Sequence, residues 1–422
     1  MDTRIKELIN YTKSKFGLDN YDLHTQSLRR SVNIFNETIY TLGMEWFPSH
    51  IGAREEDGSN PEGTASIDID VHTRQFKSVI FVGGKSYADG TKFRNLDKND
   101  IIKWIENETG LRYGKQFQLT KDEKREFRFK ECINGVAVSP SGMIEVKFDK
   151  EGKLTWFSVN GHFPMKDRVK EETFTLTLEN VDSIAHQQLK LIEFPSDEEQ
   201  KLIPVYAIEE IYVTNDRQST IPFEYIVERR SYLQIDQTMH WQTPLDKPFE
   251  EIKINLSEDV TPEQAFSREP HPDSFAITKM EQEKSIIAVE NFLRQEYPND
   301  TEKWILKTLH RDKGYILATL KHAKPDNRVF QRKLQVFLDA NSLQVLNYMD
   351  NKLMIEMFQD FQEPEKTSIS KDEAYEKIRT LIELTPVYVY DFEQKKYILC
   401  GKIDCQYGVH AASGEVISLN DL

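Results

Sequence analysis

The sequence predicts an α+β protein built from repeated helix-plus-antiparallel-sheet modules in two lobes. Three observations predict it. Amphipathic stretches with apolar residues at helical spacing are followed by runs in which apolar and polar residues alternate one by one. A turn of nearly constant spacing recurs four times. A Pro-rich stretch over 242–278 (Pro244, Pro248, Pro262, Pro270, Pro272) interrupts the pattern and reads as a linker or a long covering connection. At about 150 residues per domain, 422 residues allow two or three domains.

Taken in order, the first predicted helix is Thr3–Phe16, with Ile5, Leu8, Ile9 and Phe16 on one side and Lys and Glu between them. Gly52–Gly63, which contains Glu55-Glu56-Asp57-Gly58, reads as a mobile loop. A second helix, Lys98–Thr109, follows Asp97, an N-cap residue ahead of Ile101, Ile102 and Ile105. Ile144, Val146 and Phe148 alternate with Glu145 and Lys147, the pattern of a half-buried strand. Helices are predicted over Leu178–Glu193, Lys279–Glu296 and Lys371–Leu384; in the last, Ser370 and Glu373 form a capping box. Leu334, Val336 and Leu338, and later Val387 and Val389, repeat the strand pattern.

The turns align in one frame. Asp70 through Thr73 to Phe76 has the spacing of Asp339 through Ser342 to Val345, and His410 through Ser413 and Gly414 to Val416 follows it. Asp149 through Gly152 to Leu154 is one residue shorter. An Asp ending a strand can accept backbone N–H groups across the turn, and a Thr or Ser hydroxyl can do the same. Asp70, Thr73, Asp149, Gly152, Asp339, Ser342, Ser413 and Gly414 are therefore the expected structural residues of the repeat.

Several function classes fall away. The formal charge is −15, which argues against a general nucleic-acid binder or a protein docking on anionic lipid. Cys132, Cys400 and Cys405 are too few for a disulfide framework and read as reduced, structural thiols. No stretch approaches the length of a membrane span, and Met1–Gly17 lacks the apolar core of a signal peptide. The chain as it stands is expected to be cytoplasmic, or envelope-associated if a leader precedes it. Gly83-Gly84-Lys85-Ser86 lacks the first P-loop glycine, with Val79 in its place, and Tyr87-Ala88-Asp89-Gly90 follows where a helix is needed. Asp68-Ile69-Asp70 follows no buried parallel-strand run, so it reads as part of the turn. The ten histidines show no His-x-x-x-His pair, although His310 and His322 could face each other across a hairpin near Lys313-Gly314. No catalytic, cofactor or metal residues are expected.

One segment stands out. Residues 303–333 hold nine Lys or Arg against Asp312 and Asp326, a net +7 inside an acidic chain. With Trp304, Leu306, Tyr315, Leu317, Phe330 and Leu334 interleaved, it reads as consecutive strands with a charged outer face. Lys307, Arg311, Lys321, Arg332 and Lys333 are its candidate partner-binding residues, facing either an acidic partner or the acidic remainder of this chain.

Asp339-Ala340-Asn341-Ser342 and His410-Ala411-Ala412-Ser413-Gly414-Glu415-Val416-Ile417 resemble the end of a PepSY domain, a small α/β module closed by a strand, an Asp-Ala-x-Thr-Gly-Glu turn and a strand. Trp46 through Asp70 and Thr73, Asn134-Gly135-Val136 to Gly142, and Ile144-Glu145-Val146 through Gly152 and Leu154 resemble the YcdB/YcdC repeated-domain family. The sequence departs from the pattern at Arg74 and Leu343, where Gly is usual, and at His410, where Asp is. Members are commonly exported or membrane-tethered. With the Pro-rich connection over 242–278 taken from composition as the boundary, the resemblance implies a YcdB/YcdC-like lobe of about three modules over 1–241 and a lobe of two PepSY-like modules over 279–422. It implies a non-enzymatic protein-binding or regulatory role, peptidase-inhibitor-like, through sheet faces or edges, toward an unknown protein or peptide. A hydrolase with its site between the lobes and a structural assembly protein are the alternatives.

Overall fold

The computed structural model describes residues 1–51, 54, 58–93, 96–227, 232–324 and 326–422. Helices and mainly antiparallel sheet are distributed over two units, each assembled from separate pieces of chain. The first comprises Met1–Glu171, Ser257–Ser274 and Val387–Ile398; the second comprises Glu172–Leu256, Phe275–Pro386 and Leu399–Leu422.

In the first unit, α1 (Thr3–Phe16) starts where Asp2 accepts the Arg4 N–H and stops at Gly17, whose φ of +59° lets the chain leave the helix. The strands β1 (Tyr21–Val32), β2 (Thr38–Pro48), β3 (Ala65–Asp70) and β4 (Phe76–Phe81) then form a meander. After α2 (Lys98–Thr109), capped by Asp97, come β5 (Phe117–Glu123), β6 (Glu126–Ile133), β7 (Val136–Ser139), β8 (Met143–Phe148) and β9 (Leu154–Asn160). The sheet runs β1-β2-β3-β4-β9-β8-β6-β7, with β5 also on β6. Ile5, Leu8 and Phe16 of α1 and Ile101 and Ile105 of α2 join sheet residues such as Leu42, Ile67, Val79 and Phe157 in one core. The opposite sheet face is polar. There Arg29 reaches over Gly43 to pair with Asp68, and a Cβ on Gly43 would lie 2.6 Å from the Arg29 guanidinium.

In the second unit, α3 (Leu178–Gln188) precedes β10 (Leu189–Ser196), β11 (Lys201–Ile208), β12 (Ile211–Thr214), β13 (Thr220–Pro222), α4 (Phe223–Val227) and β14 (Leu233–Thr238). The segment returned to the first unit holds α5 (Pro262–Ser267). Next come α6 (Lys279–Glu296), β15 (Trp304–Asp312), β16 (Tyr315–His322), β17 (Lys333–Asp339), β18 (Val345–Asp350), α7 (Lys352–Glu356) and α8 (Lys371–Ile378). The chain ends in β19 (Glu383–Asp391), β20 (Lys396–Asp404), β21 (Tyr407–His410) and β22 (Val416–Ser418). Strands β14 to β18 form an antiparallel meander, and Val289, Phe292 and Leu293 of α6 pack with its Leu306, Leu320, Leu334 and Val336. A sheet ordered β10-β11-β21-β22 packs on α3 and α8 through Val181, Ala185, Ala374, Ile378 and Val409. The Val387–Ile398 piece of the first unit takes in most of β19, and within that unit Val387–Val389 runs parallel to β7, a pairing no hairpin signal encodes.

The aligned turns share one geometry. Asp70 Oδ1 accepts the N–H groups of His72 (2.9 Å) and Thr73 (2.8 Å), and Asp339 Oδ1 accepts those of Asn341 (3.1 Å) and Ser342 (2.7 Å). At His410 the ring Nδ1 takes the carboxylate's place and accepts the Ser413 N–H at 3.1 Å. Asp149 accepts from Glu151 and Lys153 in the shorter version. The residue that turns left-handed is Arg74 (φ +56°), Leu343 (+58°), Gly414 (+75°) or Gly152 (+77°). Asp391, with Lys395 at φ +52°, builds the same turn between β19 and β20 without having been singled out from sequence.

Several expectations need correction. The helix expected over Leu178–Glu193 ends at Gln188, because Leu189 is extended and begins β10. The one expected over Lys371–Leu384 ends at Ile378, passes through a 3₁₀ turn and becomes β19 at Glu383. The register sets His310 opposite Leu317 and His322 opposite Trp304, so the two do not face each other. Gly52, Ala53 and Glu55–Asp57 of the expected mobile loop lie outside the described residues; Arg54 bonds Glu45 and Asn60.

Ser257–Ser274, inside the Pro-rich stretch, clasps the first unit. Ala265 is buried in its core, and Tyr40 donates to the Glu269 carbonyl at 2.7 Å. Arg30, whose side chain is 7% exposed, pairs with Glu258 and approaches Glu269 at 3.4 Å. Buried His271 lies 3.5 Å from Glu258 and 3.4 Å from Asp273, and its N–H donates to Thr38 Oγ1. The Arg30 guanidinium holds the Glu258 carboxyl below the usual carboxylate range, against the opposing effect of burial.

Glu258→Ala leaves Arg30 buried with reduced compensation and is expected to destabilise the clasp by about 1–2 kcal/mol. Limited proteolysis within 257–274 should quicken in that variant. A carboxyl with a lowered pKa stabilises above the ordinary carboxylate range and loses that contribution as pH falls through its own value, so wild-type cleavage should also quicken in acid. A stable 257–274 segment in both conditions would contradict the clasp. Gly414→Ala forces a Cβ onto φ +75° and should lower stability by about 1 kcal/mol in a urea titration, whereas Arg74→Gly should hold or raise it.

Candidate interaction surfaces

The basic segment 303–333 folds into β15, β16 and the start of β17, and most of its candidate residues meet acids of their own unit. Lys307 pairs with Asp236 on β14 and keeps that carboxyl below the usual carboxylate range. Lys321 pairs with Glu224 on α4. Arg311 donates to Glu281 at 2.7 Å and to the Phe275 carbonyl at 3.0 Å, with both charged side chains largely buried. Burial opposes the Glu281 charge, but the Thr278 N–H and the Arg311 guanidinium outweigh it and lower its pKa. Arg332 pairs with Asp350 above the Trp304 ring, and Tyr297 donates to the same carboxylate at 2.6 Å. Lys333 contributes a backbone N–H to Asn351 at 2.8 Å. Lys307 and Lys321 come together around Asp236; Arg311 points to the start of α6 and Arg332 to the end of β18. The five do not converge on one open face. Lys307, Arg311, Lys321 and Arg332 each pair with an acid of the same chain.

The other residues weighed from sequence have local roles. Asp68 pairs with Arg29, and Asp70 heads its turn. In the glycine-rich stretch Gly83 and Gly84 have positive φ, Lys85 reaches Glu62, and extended chain follows. The three cysteines are buried and unbridged. Among the described residues no group of three or more His, Cys, Asp or Glu is placed to hold a metal. No helix among them is long and apolar enough to cross a membrane.

A surface that sequence reasoning missed lies in the second unit. The loop before β17 adds itself to the outer edge of β10: the Glu193 N–H donates to the Asn327 carbonyl (2.7 Å), and the Val329 N–H to the Glu193 carbonyl (3.1 Å). This seats Val329 and Phe330 over a small apolar cleft lined by Pro195, Leu202, Ile355 and Phe358. Phe330 stacks on Phe358 at 5.5 Å with planes 9° apart, and Phe361 meets Phe358 edge-on. On α7 and just past it, Ile355 and Phe358 line the cleft, while Leu353 and Met357, four residues apart, stand in solvent at 78% and 71% exposure. Met354 and Met349 are exposed as well. Burial pushes the Glu193 carboxyl up, Asp326 and Glu363 add to that rise, and Asn327 and Arg328 oppose it. Glu193 and Arg328 are the charged residues lining the cleft. The run Met349 to Phe358 follows neither strand nor helical period throughout, so no pattern in it announced a surface.

No family model matches the chain, and no curated protein does. Among solved structures it is similar to the Bacillus megaterium YpeB C-terminal domain, at 10% identity, over 82% of this chain and 96% of that one, with a TM-score of 0.25. A likeness that loose carries no argument about fold or function.

Arg311→Ala removes the partner of a mostly buried Glu281 and should destabilise the second unit by about 2 kcal/mol in urea. Lys352→Ala, which loses only an exposed pair with Glu356, should cost under about 0.5 kcal/mol. Equal losses in the two variants would show that the Arg311 pair has no structural role.

Proposed function

We propose that this chain is a non-enzymatic protein-binding or regulatory protein of the PepSY kind. The observation that carries the reading is the exposed apolar surface formed by Phe330, Leu353, Met354 and Met357 beside the filled cleft under Val329. Apolar side chains standing together in water add little to the fold and mark a contact surface. Methionine suits such a role, since its unbranched, polarisable side chain repacks against different shapes. The repeated turns support the PepSY comparison, because they close each hairpin in the way that module is closed.

Recognition here runs through side chains next to a sheet edge. The backbone groups of Glu193 already have partners in the loop, so an added strand has no ladder to join at that point.

A photo-crosslinking residue placed at Leu353, in the cells that make the protein, should give a discrete adduct. The same residue at Lys166, an exposed position of the first unit, should not. No adduct at 353, or the same adducts at both positions, would remove the reading.

A further inference from the structure

We propose that the turn between β21 and β22 is a pH-sensitive latch: a proton on His410 removes the acceptor that closes the turn, releases β22 and opens the β21 edge. The aligned turns headed by aspartate keep their acceptor over the same pH range.

The chemistry follows from the atom that holds the turn. His410 Nδ1 accepts the Ser413 N–H at 3.1 Å, so that nitrogen carries a lone pair and the ring is neutral. Imidazole is the side chain whose ordinary titration lies between pH 5 and 8. Once Nδ1 takes a proton it is a donor facing a donor, and the ring must swing out of the turn. An aspartate in this position remains an acceptor. At Asp339 the Ser342 N–H holds the carboxyl below its ordinary range, against the opposing effect of burial.

The surroundings bring the added charge no counter-ion. His186, His240 and His271 each stand within ion-pair range of a carboxylate. His271 accepts the Asp273 N–H through the same ring atom, but Glu258 at 3.5 Å and Asp273 at 3.4 Å can balance a proton there. Among the described residues His410 has no such pair. From α8 the nearest charge is of like sign: Lys377 Nζ lies 3.6 Å from where a Cβ on Gly414 would stand. The other α8 charges are engaged, Lys371 at the Gln187 carbonyl, Asp372 at His186, Glu373 at Ser370 and Glu376 at Arg379. The charged residue of β11, Lys201, pairs with Glu199 and Glu365. Glu415, in the turn itself, and Lys366, on the approach to α8, are exposed.

The backbone sets what the latch controls. The Ala411 N–H reaches the Pro204 carbonyl at 2.7 Å, and the Ser368 N–H reaches the Ala411 carbonyl at 2.9 Å, so the turn ties β11 to the chain entering α8. Strand β22 is three residues long and pairs with β21 alone. With a single neighbour it is among the first elements that local opening reaches. Its departure frees the side of Tyr407–Val409 that it covers, giving an open sheet edge in acid where neutral pH keeps a closed one.

The test is hydrogen exchange of the full chain, read by mass spectrometry over 407–419 from pH 8 down to pH 5. Each rate is divided by that of His410→Asp at the same pH, which cancels the intrinsic pH dependence of exchange. The ratio should be about one at the alkaline end and rise about three- to tenfold at the acid end, the weight of one lost hydrogen bond. Over 333–345, around Asp339, it should stay flat. His410→Ala should exchange fast throughout. Urea titrations check that the variants remain folded. If His410→Asp does not fold, His410→Asn, which offers an acceptor and does not titrate, serves as the reference. A flat ratio over 407–419, an equal rise over 333–345, or His410→Ala exchanging no faster than the reference overturns the proposal.

Discussion

An acceptor side chain at the head of a hairpin turn sets the register on which the rest of this structure depends. Side chains alternate between sheet faces, so a slip of one residue would turn a strand inside out. At Asp339 one carboxylate oxygen gathers two backbone N–H groups, Leu343 absorbs the left-handed step, and Val345 re-enters the sheet opposite Leu338. That register turns Leu334, Val336 and Leu338 toward the α6 side and leaves Met349 on the other face. It also delivers Asp350 to Arg332 and Tyr297, and Asp350 Oδ1 then accepts the Lys352 N–H at the start of α7. The position of the apolar ridge follows from a turn more than ten residues earlier.

What could be read from sequence followed from interactions within one segment. The bounds of α1, α2 and α6 agree with expectation because amphipathic spacing and caps such as Asp97 lie within a few residues of the elements they limit. The turns at Asp70, Asp149, Asp339 and His410 were visible for the same reason. Where local signals overlap, the reading overran: Leu189 and Leu191 continue a plausible helical stripe, yet they alternate in β10. The Asp391 turn escaped notice because Phe392-Glu393-Gln394-Lys395 offers no Ser, Thr or Gly to mark the frame.

Long-range features left no local trace. Arg30 meets Glu258 and Glu269 more than two hundred residues away, and nothing in either segment names the other. Composition reads 242–278 as a linker or a covering connection but does not say what it would cover; Val260, Ala265 and Phe266 pack on the first unit's core. Composition likewise found the cluster of cations over 303–333 without finding their partners. Asp236, Glu224, Glu281 and Asp350 lie outside the segment, and only the folded register brings them to Lys307, Lys321, Arg311 and Arg332. Charge density in sequence measures how many ions must be satisfied, not whether they remain open to a partner.

The apolar ridge is the converse case, a surface that the fold does not need. Phe330 and Phe358 already fill the cleft by stacking, so Leu353 and Met357 could be polar without opening a cavity beneath them. Fully covering such a side chain returns about 1.5–3 kcal/mol each. Bringing two molecules together costs on the order of 4–15 kcal/mol before any contact is counted. Leu353 and Met357 alone therefore cannot hold a lasting complex. In the contact proposed above, affinity would also have to draw on Phe330 and on the neighbouring methionines. A contact built on a few such anchors would release readily, which is what the proposed regulatory role asks of it and a permanent subunit interface does not.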